Sequence, residues 1–277
     1  MHALRLDDVG ASSKRYEVHS ERTWRLGSWT ISANWLFLKY LRGLGRWGVY
    51  REMRADEWLE VLRLLENHRA RLTVSVTAAW ADSQARLVPF PKKFPEQAAT
   101  LKEGAQAGLL EIANHGLCHC VLTRNAFKPK WFAGNRPFHR EFWDWVPPSV
   151  HEDHIRRSQD ILHGYFEEDI VTFVPPGNVF TDQTLEIAGR YGLRYVSCQT
   201  RPRACGNLAV IGDEHVTPLH DRDIVLQGVR WFERLLESVA GKRLCFVREL
   251  GAMAVSRGQT AVGTGAEPGR VGPEESQ

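Results

Sequence analysis

The chain has 277 residues, 43% of them hydrophobic and 25% charged, which suits one large α/β domain with insertions or two small domains. Its net charge of +3, with no long single-sign run, excludes a protein that grips nucleic acid through a basic surface. No stretch of 18 apolar residues offers a membrane span, the start MHALRLDDVG lacks the pattern of an export signal, and five cysteines show no framework spacing. A cytoplasmic protein is expected.

In chain order, residues 3–9 (ALRLDDV) read as a short buried strand. Residues 10–55 crowd basic and aromatic side chains together (Trp24, Trp29, Trp35, Phe37, Tyr40, Trp47, Tyr50) and read as an insertion. A helix begins at about Asp56, a plausible N-cap, with Trp58, Val61, Leu62 and Leu65 on one face. LTVSVTA (72–78) is a strand, Pro89 and Pro91 mark a loop, and Pro95 opens a helix that ends at Gly108. LLEIANH (109–115) is the third strand, followed by a second irregular stretch at 121–148.

Ser149 and Glu152 suggest a capping box for a helix running to about Phe166. IVTFV (170–174) is a strand, and a helix spans Thr181 to Arg190. LRYVSC (193–198) and EHVTPL (214–219) are further strands, and Val225 to Val239 forms one amphipathic helix stopped by Gly241. LCFVREL (244–250) is read as the last strand. The folded domain is expected to cover 1–253, with a disordered tail at 254–277 that lacks periodicity and large apolar residues. Strands alternating with helices imply a largely parallel sheet, open or closed into a barrel. No GxGxxG turn follows the first strand, which argues against a dinucleotide site.

Four segments carry candidate chemistry: LRLDDVG (4–10), EIANHGLCH (111–119), FVPPGN (173–178) and TPLHD (217–221). Three lie at or just after the C-terminal end of an expected strand and the fourth closes one; ligands of parallel α/β folds collect on that face. Asp7 and Asp8 are adjacent carboxylates, either neutralised by a cation or simply a turn Asp beside an exposed one. His115 and His119 are four apart, so a helical turn would aim both imidazoles at one metal. Gly116 rules out the zinc-protease motif, which needs Glu there. Cys118 and Cys120 read as buried thiols, Pro175-Pro176-Gly177 as a rigid turn, and His220-Asp221 as a catalytic His or a surface pair.

Together these segments resemble the polysaccharide deacetylase family, carbohydrate esterase family four. LRLDDVG is similar to that family's paired-aspartate strand end, EIANHGLCH to its two-histidine segment, and TPLHD to its late Leu-x-His segment. The resemblance implies a distorted (β/α) barrel of about seven parallel strands carrying the aromatic and basic insertions. It implies one divalent metal, with zinc the usual choice, held by Asp8, His115 and His119, with Asp7 as general base and His220 as general acid. Pro175, Pro176 and Gly177 would contact substrate. The sequence departs from the family pattern at Val174, where an Arg that tethers the base is expected, and it lacks an Asp-x-x-x-Asp-Trp-like segment. A basic residue from an insertion is expected to replace that Arg, with Arg5, Lys14 and Arg15 the nearest in sequence.

The implied reaction is removal of an acetyl group from an N-acetylated sugar of a surface polysaccharide or glycolipid precursor. The alternatives are a related hydrolase of a non-acetyl amide, such as a formamido sugar, and an inactive sugar-binding module. Within the first insertion, Phe37, Tyr40, Leu41 and Leu44 share one helical face, opposite Lys39, Arg42, Arg46 and Trp35. That piece reads as a packed amphipathic helix, a lid whose Trp35 stacks on sugar, or an interfacial helix at an anionic membrane.

Overall fold

The computed structural model describes residues 1–16, 23–32, 51–82, 84–122, 136–199 and 207–256. Its centre is strand β1 (His2–Val9), buried along its whole length. Both of its faces meet other layers, so its polar residues Arg5, Asp7 and Asp8 are buried along with the apolar ones. A hairpin, β2 (Thr23–Leu26) and β3 (Trp29–Ser32), follows within the first insertion, and Leu26 and Trp29 beside its turn are largely exposed.

The main sheet continues through β4 (Leu72–Val76). A small antiparallel pair, β5 (Ala79–Ala81) and β6 (Leu87–Pro89), follows it. Next come β7 (Leu110–Asn114), β8 (Thr172–Phe173), β9 (Tyr195–Ser197) and β10 (Ala209–Ile211). The chain steps outward from β1 through β4, β7, β8, β9 and β10, always in parallel. Strand β11 (Val216–His220) then returns to pair with the other side of β1. This order curls seven parallel strands into a distorted (β/α) barrel, as the family resemblance implied. No strand pairing joins β10 to β11 among the described residues, so a seam remains there.

Helices cover the outer face. Residues Ala55–Asn67 turn Trp58, Val61, Leu64 and Leu65 into the core. This helix starts one residue before Asp56, and Glu57 caps it by accepting from the Arg54 N–H at 2.8 Å. Helix Pro95–Gln106 opens on proline as expected. Helix Pro148–Phe166 also opens on a proline, so the Ser149–Glu152 capping box is not formed. A proline needs no N–H partner in the first turn, which removes one of the donors such a box would satisfy.

Two further expectations are corrected. The helix expected over 225–239 is two helices, Asp221–Gln227 and Val229–Ser238, parted at Gly228 with φ of +79°. The segment 244–250 is mostly not a strand: β12 (Leu244–Cys245) is two residues long, and Val247–Ser256 is helical. Glu249 accepts from the Phe246 N–H at 2.8 Å and so starts that helix. Val247 and Leu250, three apart, are its buried large apolar residues, a spacing that a short apolar run does not reveal. The helix carries ordered chain to Ser256, past the expected start of the tail; residues 257–277 lie outside the described residues. No helix among the described residues is long and apolar enough to cross a membrane.

Candidate active site

Strand β1 is interrupted where its chemistry begins. Leu6 pairs with Val74 and Val9 with Val76, so three steps on β1 face two on β4. The extra residue is a bulge, a device that re-aims side chains at a strand end. Asp8 absorbs it with φ of +71°, a left-handed conformation rare outside glycine. The Asp8 carbonyl accepts from the Ala11 N–H at 3.0 Å and from Lys14 Nζ, which holds the turn.

Asp8, His115 and His119 are brought together. Asp8 Oδ1 lies 3.2 Å from Nε2 of both histidines, and all three side chains are buried. The expected helical turn between the histidines is absent. Instead 115–120 form an irregular loop, with His119 at φ of +56°. The loop wraps a carboxylate: Glu141 accepts from the N–H groups of Leu117 at 3.0 Å, Cys118 at 3.1 Å and His119 at 2.9 Å. His154 Nδ1 donates to the same carboxylate at 2.6 Å. Burial pushes the Glu141 pKa up, but the His154 contact and the loop N–H groups outweigh it, leaving it below the ordinary value.

Gly116 makes this wrapping possible. It has φ of +77°, and a Cβ there would lie 2.0 Å from Glu141 Oε2. Gly116→Ala is therefore expected to destabilise the protein by about 3 kcal/mol or more, combining backbone strain with displacement of a buried charge. Thermal or urea unfolding measures this, and a loss below about 1 kcal/mol would show that Glu141 can retreat cheaply.

Each histidine is turned by its other nitrogen. His115 Nδ1 donates to the Val174 carbonyl at 2.7 Å, and His119 Nδ1 pairs with Ser13 Oγ at 2.8 Å. Both Nε2 atoms are left facing Asp8. His119 Nε2 makes no properly aligned hydrogen bond although it is fully buried. A buried nitrogen without a hydrogen-bond partner is costly unless something else binds it. Two imidazole nitrogens and one carboxylate oxygen are the donor set of an open zinc-type site, so the residues fit a divalent ion. Burial disfavours the Asp8 carboxylate, yet contact with His115 and His119 holds its pKa well below the usual value. Burial lowers the His119 pKa, favouring the neutral, metal-binding form.

A second grouping, Cys118, Glu141 and His154, is equally close. There the carboxylate is already spent on the loop, and burial pushes the Cys118 thiol well up, keeping it protonated. That group reads as a structural knot. Cys118 and Cys120 are buried and free, as expected.

Asp7 is held by Arg5 from its own strand. Arg5 Nε donates to Asp7 Oδ1 at 2.9 Å and Nη2 to Oδ2 at 2.9 Å, while Nη1 donates to Ser197 Oγ at 2.7 Å. Ser75 Oγ adds a hydrogen bond to Asp7 Oδ1 at 2.9 Å. Of the three candidates named for this contact, Arg5 makes it; it belongs to β1 and not to an insertion. Lys14 instead pairs with Asp221, and the Arg15 side chain lies outside the described residues. His220 sits opposite Asp7 in the β1–β11 register. Burial works against protonating His220, but the Asp223 contact and the charges of Asp8 and Asp7 outweigh it and raise its pKa. Arg222 Nη2 approaches Asp8 Oδ2 at 3.9 Å.

The Pro175–Gly177 segment forms a short turn with Gly177 at φ of +61°, beside the loop of the two histidines. The Arg140 side chain fills the space a Cβ on Gly177 would need. Trp35 and the projected helix around it lie outside the described residues. Sequence reasoning missed Glu141, His154, Ser13, Ser75 and Ser197. The one signal available was that irregular stretch 121–148 follows the second histidine directly.

A parallel α/β barrel with these carboxylates and histidines at the C-terminal mouth has the layout of a barrel hydrolase. The chain belongs to the polysaccharide deacetylase family, whose profile matches residues 51–196, more than half of the sequence. Among solved structures, one assigned as a polysaccharide deacetylase from Mycobacterium smegmatis matches with a TM-score of 0.52 at 13% identity, covering 76% of this chain and 81% of that one. A family-four carbohydrate esterase from Streptomyces lividans, in complex with acetate, matches at 16% identity and TM-score 0.42, covering 69% and 84%. A family-four pseudoenzyme from Bacillus anthracis matches at 12% and 0.45, covering 72% of this chain, which spans 61% of its length. No curated protein sequence matches.

Proposed function

We propose that the protein is a metal-dependent hydrolase that removes an acetyl group from an N-acetylated sugar, part of a surface polysaccharide or glycolipid precursor. The observation that supports this best is the buried cluster of Asp8, His115 and His119 with Asp7 and His220 paired beside it. Binding sugar alone would need no such combination of ligands, base and acid.

Asp8, His115 and His119 would hold one divalent ion, and zinc matches their oxygen and nitrogen donors. When bound, such an ion polarises a carbonyl and lowers the pKa of water from 15.7 toward about 7. Asp7 takes the proton of the attacking water, because its carboxylate is fixed by Arg5 and Ser75 and cannot swing away. His220 delivers a proton to the departing sugar nitrogen. Asp223 Oδ2 lies 3.6 Å from His220 Nδ1 and favours the protonated ring that this role requires. Pro175, Pro176 and Gly177 flank the site as substrate contacts, and Gly177 leaves room for Arg140 beside them.

Acetate release from a panel of N-acetylated sugars, together with metal content, tests the reading. About one divalent ion per chain and acetate production are expected. Formate from formamido sugars alone would move the reaction to the related amide class, and binding without turnover would make the protein a sugar-binding module.

The acid has its own signature. A group that must be protonated loses activity as pH rises through its pKa, and against the effect of burial the Asp223 contact helps to raise that pKa over its ordinary value. Asp223→Asn removes a negative charge, so the alkaline limb of kcat should move to lower pH. A limb that stays in place would remove His220 from the acid role.

A further inference from the structure

Resting on the assignment of Asp8 and His119 as ligands, we infer that Ser13 and Lys14 form a clamp that positions these two residues and sets how tightly the ion is held. Both belong to one four-residue helix, Ser13–Tyr16, that follows the β1 bulge. From adjacent positions they reach one ligand on β1 and another in the loop after β7. Ser13 Oγ meets His119 Nδ1 at 2.8 Å, and Lys14 Nζ donates to the Asp8 carbonyl.

Each contact constrains what the ligand atom does. A proton on His119 Nδ1, donated to Ser13 Oγ, leaves Nε2 unprotonated and turned toward Asp8 Oδ1. Such partners fix both tautomer and ring orientation of a ligating histidine. Lys14 acts on the backbone. Asp8 and His119 both have positive φ, and neither is glycine, so the surrounding structure must hold them in place. For His119 the loop N–H contacts of Glu141 do this; for Asp8 the Lys14 ammonium does.

The lysine is itself anchored. Its Nζ lies 2.7 Å from each oxygen of Asp221, which is fully buried, and 4.0 Å from Glu52 Oε1. Burial, followed by the opposing effect of Lys14 and the repulsion of Asp221, leaves Glu52 with its pKa pushed up to about 8. One cation therefore serves two carboxylates beneath Asp8. The ammonium also points at a carbonyl and not at the Asp8 carboxylate, so it restrains the ligand without competing for its ligating oxygen.

Zinc affinity by chelator competition, with apo-protein melting measured beside it, tests the clamp. Ser13→Ala is expected to bind zinc about 10–100-fold more weakly with little change in apo melting, and Ser13→Thr, which keeps the hydroxyl, to recover most of the loss. Lys14→Met/Asp221→Asn removes the buried pair, leaves Glu52 to sit protonated, and should weaken zinc by at least about 10-fold. If the double variant does not fold, the two Ser13 variants still decide. Zinc affinity in Ser13→Ala within about twofold of the parent, or an equal loss in Ser13→Thr, overturns the clamp. A parent chain that binds zinc but releases no acetate counts against the hydrolase reading and leaves the clamp standing. A parent chain that binds no zinc overturns both.

Discussion

Replacing His119 with alanine is expected to empty the metal site and stop acetate release together. His119 is buried, is fixed by Ser13 on one side, and presents a nitrogen that makes no aligned hydrogen bond. Without it only one imidazole and one carboxylate remain of the donor set, too few for a tight site. The Lewis-acid contribution lost is worth several kcal/mol, so the rate should fall by about 10³-fold or more. Metal content by elemental analysis and acetate by coupled assay read the two effects separately. Full metal occupancy in the variant would remove His119 from the ligand set.

The second large effect separates Asp7, the proposed base, from its tether. Asp7→Asn should keep the metal, because no ligand is touched, and lose roughly 10²-fold or more in rate. Arg5→Met should do different damage. It leaves Asp7 as a buried charge whose strongest partner is gone, an expected destabilisation of about 3–5 kcal/mol. The double variant Asp7→Asn/Arg5→Met removes both charges, so stability should largely return while activity does not. Chemical denaturation of the set gives the coupling energy directly. Equal instability in the single Arg5 variant and the double would mean that Arg5 packs the core for reasons unrelated to Asp7.

The parts of this protein that were readable from sequence are those written locally. Strand β1 with its paired aspartates, the second histidine segment at the end of β7, and the late histidine on β11 each sit inside a run whose pattern marks both the strand and its end. The supporting residues carry no such mark. Glu141 lies in a stretch without periodicity, yet it reaches back over 20 residues to hold the His119 loop, and only the fold brings them together. Ser13 was one polar residue among many in an insertion, and its contact to His119 spans 106 positions. The misread segment 244–250 failed for a different reason. A short apolar run suits a strand or one buried helical face equally well, and here the Glu249 cap decided the matter.

The tether inside β1 has a further consequence. Arg5 and Asp7 are two residues apart on one strand, so their pairing needs no loop to arrive from elsewhere. On the proposed function, the turn after β8 is thereby released from tethering Asp7 as the base. The Val174 carbonyl ties it to His115, through a backbone atom that any residue at that position supplies. Side-chain identity at Val174 is thus decoupled from the proposed proton transfer, and a library randomised at that position is expected to keep the chemistry.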